Sequence, residues 1–175
     1  MIDESVLAGA MSALARGEKE AMAVIYDAVG RDIYGLALWR TQSAEDAADV
    51  VQEVFLKLAQ TGVALEDIAR PKAYLLGMAH RAAVDVLRMR RRTAPLDDAL
   101  LLDGSAGSGE KLAAREASAA VARLAPEQRE VVYLRHFCGL SFSEIGKALG
   151  ISLFTAASRH RLALTRLRKL MGVPS

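Results

Sequence analysis

The sequence predicts an all-α protein: two small helical domains joined by a flexible linker, the C-terminal one a helix-turn-helix. Three observations lead there. The chain is rich in Ala, Leu, Arg and Glu and poor in aromatic and β-branched clusters, which favours helix over sheet. Apolar residues recur at helical spacing towards both ends of the chain. Between them, from Thr93 to Gly109, the texture changes to Pro95, Asp97, Asp98 and then Gly104, Ser105, Gly107, Ser108 and Gly109, a composition suited to a tether. The expected divisions are 1–94, a linker over 95–110, and 111–175.

The elements follow in order. From Glu18 to Leu38, the residues Met22, Ile25, Tyr26, Val29, Ile33, Leu36 and Ala37 form one apolar stripe, an amphipathic helix with a break expected near Gly30. Ser43 caps a second helix with Ala47, Val50, Val51, Val54, Phe55 and Leu58 on its buried side, ending at Gly62. After a connection over 61–70, Pro71 stands in the first turn of a helix running to about Arg92, with Leu75, Leu76, Ala79, Ala83, Val86 and Leu87 inward. Leu100, Leu101 and Leu102 in the linker are odd for a solvated tether and point to a docked segment. Lys111 to Leu124 reads as a helix, and Ala125-Pro126 ends it and starts the next, to about Phe137. Gly139 turns the chain. Ser141 and Glu144 have capping-box spacing, Ile145, Ala148 and Leu149 face inward, and Gly150 sits where a C-cap is wanted. Ser152 caps a last helix to about Met171, three or four residues after its predecessor, which is the helix-turn-helix arrangement.

Composition excludes several classes. The net charge of +2 over 175 residues is too small to imply nucleic acid by itself. The single cysteine, Cys138, allows no intrachain disulfide and no multi-cysteine zinc site, fits a reducing cytosol, and reads as a buried small hydrophobe. Asp3 and Glu4 stand where an export signal would be basic, and no run of about 18 to 20 apolar residues exists to span a bilayer. A cytoplasmic location with no membrane insertion is expected. His80, His136 and His160 lie on different helices, each beside an arginine, without metal-ligand spacing. No catalytic residues, metal or cofactor are expected. Trp39 and Tyr34 read as core or edge of core.

The charges are unevenly placed. The last helix carries Arg159, Arg161, Arg166, Arg168 and Lys169, and no acidic residue follows Glu144. A basic helix after a capped helix-turn-helix suits the DNA major groove; the plainer reading is a solvated helix with favourable C-terminal charges. The third helix of the first half ends in Arg88, Arg90, Arg91 and Arg92, with Lys72 and Arg81 upstream and Asp85 opposed. Two basic sites on one chain imply contacts with two stretches of nucleic acid, although an Arg run before a linker is often only a solvated helix end. The second helix is acidic instead: Asp46, Asp49 and Glu53 share a face, with Gln52 beside them. A face that keeps such repulsion invites a basic partner, against the alternative of a solubilising surface.

Taken together, these residues resemble a known family. The run Asp49-Val50-Val51-Gln52-Glu53-Val54-Phe55 resembles the D-x-x-Q-E-x-F signature of region 2 of bacterial RNA polymerase sigma factors, and residues 74–88 resemble the helix that follows it. Residues 124–132 are similar to the opening of region 4, residues 139–152 to its helix-turn-helix, and Ser158-Arg159 to its recognition helix. With these two regions and no extra N-terminal segment, the chain resembles the extracytoplasmic-function (ECF) group.

The resemblance implies a set of roles. Asp49, Gln52 and Glu53 would dock on the clamp helices of the β′ subunit of core RNA polymerase. Arg81, Asp85, Arg88, Arg91 and Arg92, with the loop over 61–70, would face the −10 promoter element, where single-stranded DNA is held and a base flipped. Ser152, Thr155, Ser158, Arg159 and Arg161 would read the −35 element as duplex. The linker would thread toward the RNA exit path, and an anti-sigma factor would silence the protein. The chain departs from the family pattern at Arg81, where Asn is usual, at Phe154, where Gly is typical, and at Ala157, where a polar or basic residue is. Apolar contact from Phe154 or Ala157 to a thymine methyl fits those last two. The competing readings are a sigma-like decoy for an anti-sigma factor, which has little use for the arginines, and a plain helix-turn-helix regulator, which leaves Asp49 to Phe55 without purpose. Folding of the two domains on each other in the free chain would hide the DNA surfaces until polymerase binds; the sequence does not decide whether they do so.

Overall fold

A computed structural model describes residues 4–61, 68–93 and 116–172, and every regular element among them is a helix. The order is α1 (Glu4–Ala15), α2 (Ala21–Thr41), α3 (Ala44–Thr61), α4 (Pro71–Thr93), α5 (helical over 116–122), α6 (Pro126–His136), α7 (Phe142–Leu149) and α8 (Leu153–Leu170). In the first half the i, i+3, i+4 rows meet as the patterning predicts. Ile25, Val29, Ile33 and Leu36 of α2, Val50, Val54 and Leu58 of α3, and Leu75, Leu76 and Ala79 of α4 are all completely buried. Truncating any of the leucines or isoleucines among them to Ala costs about 2–5 kcal/mol. Pro71 begins α4, and the Ser43 hydroxyl accepts the Asp46 amide at 3.1 Å, capping α3. Gly62, most of the 61–70 connection and the linker with its three leucines lie outside the described residues.

One expectation is corrected and one element is added. Helix α2 passes through Gly30 without a break, because the open space beside that residue is filled by the Tyr26 ring from the preceding turn, 3.5 Å from where a Cβ would stand. The N-terminal stretch, for which no element was expected, forms the helix α1, whose Leu7, Ala10 and Met11 are buried. Their i, i+3, i+4 spacing was legible as one more amphipathic stripe.

The two halves are packed together. Buried Val131, Tyr133, Leu134, Cys138, Leu140, Ile145 and Leu149 join the α1–α4 residues in one continuous apolar cluster, while Leu124, Val132 and Ala163 form a smaller one under α8. Close approach depends on two glycines. A Cβ on Gly35 of α2 would overlap the Tyr133 hydroxyl and lie 2.5 Å from its Cζ; one on Gly77 of α4 would lie 3.0 Å from the Ala148 carbonyl oxygen.

Candidate polymerase and promoter surfaces

Helix α3 presents its acidic ridge because the apolar positions 47, 50, 54 and 58 turn the opposite side into the core. Asp49 and Gln52 are exposed and Glu53 half-buried. Gln52 borders a groove of about 840 Å³ between α2 and α3, walled by Tyr26, Tyr34 and Val51. Asp49 and Glu53 face the other way, into a groove of about 530 Å³ between α3 and α4 that also holds Asp85 and Arg90. The predicted repulsion along the ridge is partly offset: Asp46 takes Arg90 of α4 at 3.1 Å, and Glu53 pairs with Lys57 one turn on at 2.9 Å. Cys138 is buried and Trp39 half-buried on the core, whereas Tyr34, expected at the core or its edge, is exposed on the wall of the α2/α3 groove, outside both apolar clusters.

The basic end of α4 is solvent-facing. Arg81, Asp85, Arg88 and Arg92 are exposed, and Asp85 lies 3.6 Å from Arg88 one turn on. Arg91 belongs to the same helix, but its side chain lies outside what is described. So α4 brings Arg81, Asp85 and Arg88 onto the surface, with Asp85 about one turn and Arg88 about two turns beyond Arg81.

The helix-turn-helix is built by local chemistry. The Ser141 hydroxyl accepts the Glu144 amide at 3.3 Å, while the Glu144 carboxylate accepts the Ser141 amide at 2.8 Å and its hydroxyl at 2.6 Å. Burial raises the Glu144 carboxyl, but those bonds and the Arg70 guanidinium of the first half outweigh it and hold the group below its ordinary range. Gly150 closes α7 at φ +67°, a conformation that costs a side chain. Gly146 lets the turn approach: a Cβ there would meet the Ile151 carbonyl oxygen at 2.8 Å. The Ser152 hydroxyl accepts the Thr155 amide at 3.0 Å and lies 2.9 Å from the Thr155 hydroxyl, so both predicted −35 residues also cap α8.

Buried Ala156 and Ala163 orient α8. Leu153, Phe154 and Arg161 are thereby exposed, and Ser158 and Arg159 half-buried, with Phe154 77 % accessible. Further along, Arg166, Arg168 and Lys169 extend the basic face. A brace absent from the sequence reading ties α8 to α6: His136 and His160 stack, their Nε2 atoms 2.8 Å apart, and the Phe142 ring meets His160 edge-on. Burial, then His136 and Arg135, hold the His160 imidazole below its ordinary value.

Comparison with known proteins agrees with this geometry. Residues 25–93 match the model of sigma-70 region 2, and residues 120–169 that of sigma-70 region 4. The chain is 31 % identical over 170 residues to the ECF RNA polymerase sigma factor SigK of Mycobacterium ulcerans, covering 90 % of this chain and 89 % of that one. It belongs to the ECF RNA polymerase sigma factors. SigL of Mycobacterium tuberculosis, another ECF sigma factor, is 30 % identical across 90 % of the chain and 93 % of its own length. The fold is shared with two solved structures. One is the sigma factor RpoE bound to the anti-sigma factor NepR from Bartonella quintana (TM-score 0.69, 22 % identity, covering 82 % of this sigma factor and 91 % of that chain). The other is CnrH bound to the cytosolic domain of CnrY (TM-score 0.70, 23 % identity, covering 97 % and 99 %). Among the described residues no helix of this sigma factor is long and apolar enough to cross a membrane, and no group of three or more His, Cys, Asp or Glu side chains could hold a metal ion.

Proposed function

We propose that this sigma factor binds core RNA polymerase through Asp49, Gln52 and Glu53 of α3, holds the −10 element on Arg81, Asp85, Arg88, Arg91 and Arg92 of α4, and reads the −35 element with Ser152, Thr155, Ser158, Arg159 and Arg161 of α8. The domains divide at 1–94, 95–110 and 111–175. The observation that carries the reading is charge segregation on a shared scaffold: an acidic ridge on α3 for a protein partner, and two basic helix faces, one in each half, for one nucleic acid. The chain acts by positioning and not by catalysis, in the cytoplasm. An anti-sigma factor is a fitting partner, because the two structural neighbours were each solved with such a partner or with a cytosolic domain bound.

Exposed Phe154 on the first turn of α8 supports apolar contact to a thymine methyl at the −35 element. Run-off transcription with purified core polymerase, on the promoter region of its own gene and on a random genomic pool, tests the whole reading. New start sites that depend on the protein support it; failure to bind core polymerase overturns it. Reversing charge with Asp49→Lys and Glu53→Lys is expected to abolish polymerase binding in a protein with unchanged helicity, and retained binding by that folded variant removes the docking role of α3.

A further inference from the structure

Two of the three histidines are brought together by the fold although 24 positions separate them in the chain. His136 ends α6 and is exposed; His160 lies midway along α8 and is half-buried. Their Nε2 atoms are 2.8 Å apart while the ring centroids are 5.0 Å apart, so the nitrogen-bearing ends of the two rings are what meet. The third histidine is committed elsewhere. His80 places its Nδ1 2.6 Å from the buried Glu130 carboxylate, beside Arg129, whose buried guanidinium donates to the Trp39 and Arg40 carbonyls at 2.7 and 3.3 Å.

Two imidazoles that face each other in this way can share a proton, one ring donating and the other accepting. They can equally share a metal ion. A neutral imidazole nitrogen is the commonest protein ligand for late first-row ions such as Zn²⁺, Ni²⁺ and Cu²⁺. With Zn–N distances of about 2.0–2.1 Å and tetrahedral angles, two ligand nitrogens stand roughly 3.3–3.4 Å apart. The observed 2.8 Å falls short of that by roughly 0.5 Å, which a small side-chain rotation supplies. The Phe142 ring, edge-on to His160, restrains that imidazole, so the adjustment falls to the exposed His136.

The surroundings act in both directions. Arg135 opposes a bound cation, but its guanidinium is held by the Leu140 carbonyl at 2.9 Å and lies over the Phe142 ring. A ligand imidazole has to be neutral, and burial, ahead of His136 and Arg135, holds His160 below its ordinary value.

We propose that His136 and His160 form a two-imidazole site for a late first-row divalent ion of the zinc class, and that the bound ion clips α8 to α6. Two protein ligands leave the remaining positions to water, so the site is exchangeable, unlike a structural zinc centre closed by four protein ligands. The ion takes the place of the shared proton: the ring that donates through Nε2 keeps its hydrogen on Nδ1 instead, and both rings stay neutral. This inference goes beyond the proposed function and does not depend on it, since it concerns only the two helices of region 4.

The test uses the full chain, stripped of metal, at about pH 7.5, above the ordinary imidazole range, with Zn²⁺ alone as the probe. Calorimetric titration is expected to show one zinc per chain, and His136→Gln and His160→Gln are each expected to weaken binding at least about ten-fold. Amide hydrogen exchange supplies the location. With free zinc at about ten times the measured Kd, exchange through separation of α6 from α8 is expected to slow by up to about eleven-fold, following one plus the ratio of free zinc to Kd, while α3 keeps its rate. Mg²⁺, which prefers oxygen ligands, is expected to protect nothing. Absence of both heat and protection up to about 1 mM zinc overturns the site and leaves a hydrogen-bonded pair only. Zinc binding unchanged in either folded Gln variant puts the ion elsewhere and overturns it too, as does equal protection by Mg²⁺. Should His160→Gln lose helicity, His136→Gln decides alone, because its ring is exposed and the buried face of α6 is carried by Val131, Tyr133 and Leu134.

Discussion

The turn between α7 and α8 and the seam between the two halves both hold helices at fixed angles, by opposite means. At the turn the capping groups lie within a few residues of their partners: Ser141 with Glu144, Gly150 on its own backbone, Ser152 with Thr155, and only Glu144 also reaches Arg70 of the first half. At the seam the partners are far apart in sequence, Arg40 and Glu130 by 90 residues and His80 and Glu130 by 50. Short-range chemistry sets the shape of the turn itself. Long-range chemistry makes a contact that can be lost as a unit.

Single substitutions separate the two kinds of contact. The largest effect is expected from Ile33→Ala, since this side chain is fully buried where α2 meets the continuous core. A loss of about 2–5 kcal/mol, seen as a lower melting temperature with reduced amide protection in α1–α4, is the expected outcome; a change confined to α7 and α8 would contradict the shared core. Next is Gly150→Ala, which forces a side chain into the left-handed region at a cost of about 1–2 kcal/mol. Hydrogen exchange should then accelerate in α7 and α8 and leave α2–α4 unchanged, and equal acceleration in both halves would show that the turn is not autonomous.

The smallest effect concerns pH. His160 is held below 6.5 by burial, by His136 and by Arg135, so the folded state binds fewer protons there than the unfolded one. Its contribution is present above about pH 6.5 and fades as the pH falls through the depressed value. Protection of α6 and α8 is expected to weaken between about pH 7.5 and pH 5.5, and His160→Gln should flatten that dependence. An identical slope in the variant would remove the histidine brace from the account.

The same contrast explains what was legible in the sequence. Caps and turns of the helix-turn-helix could be read residue by residue, because serine, glutamate and glycine signal their role to neighbours three to five positions away. The buried faces of α2, α3 and α4 followed from periodicity, and the acidic ridge from its spacing. Helix α1 carries the same kind of stripe in Leu7, Ala10 and Met11, but over too few residues to stand out beside the longer helices. Glu130 and Arg129 looked like ordinary polar residues of an amphipathic helix. Nothing near them in the chain marks them as buried, because the groups that bury them lie on α2 and α4.

Arg129 has one further consequence. Its guanidinium donates to the Trp39 and Arg40 carbonyls at the end of α2 and to the Ala122 and Leu124 carbonyls at the end of α5, so one cation terminates a helix in each half. The end of α2 leads within three residues, through Gln42 at φ 57° and the Ser43 cap, into α3 and its acidic ridge. The corner that sets the direction of α3 is therefore finished by a side chain from the other half. If a ligand on α3 shifts that corner, it changes the grip of Arg129, and by reciprocity whatever loosens that grip changes affinity at α3.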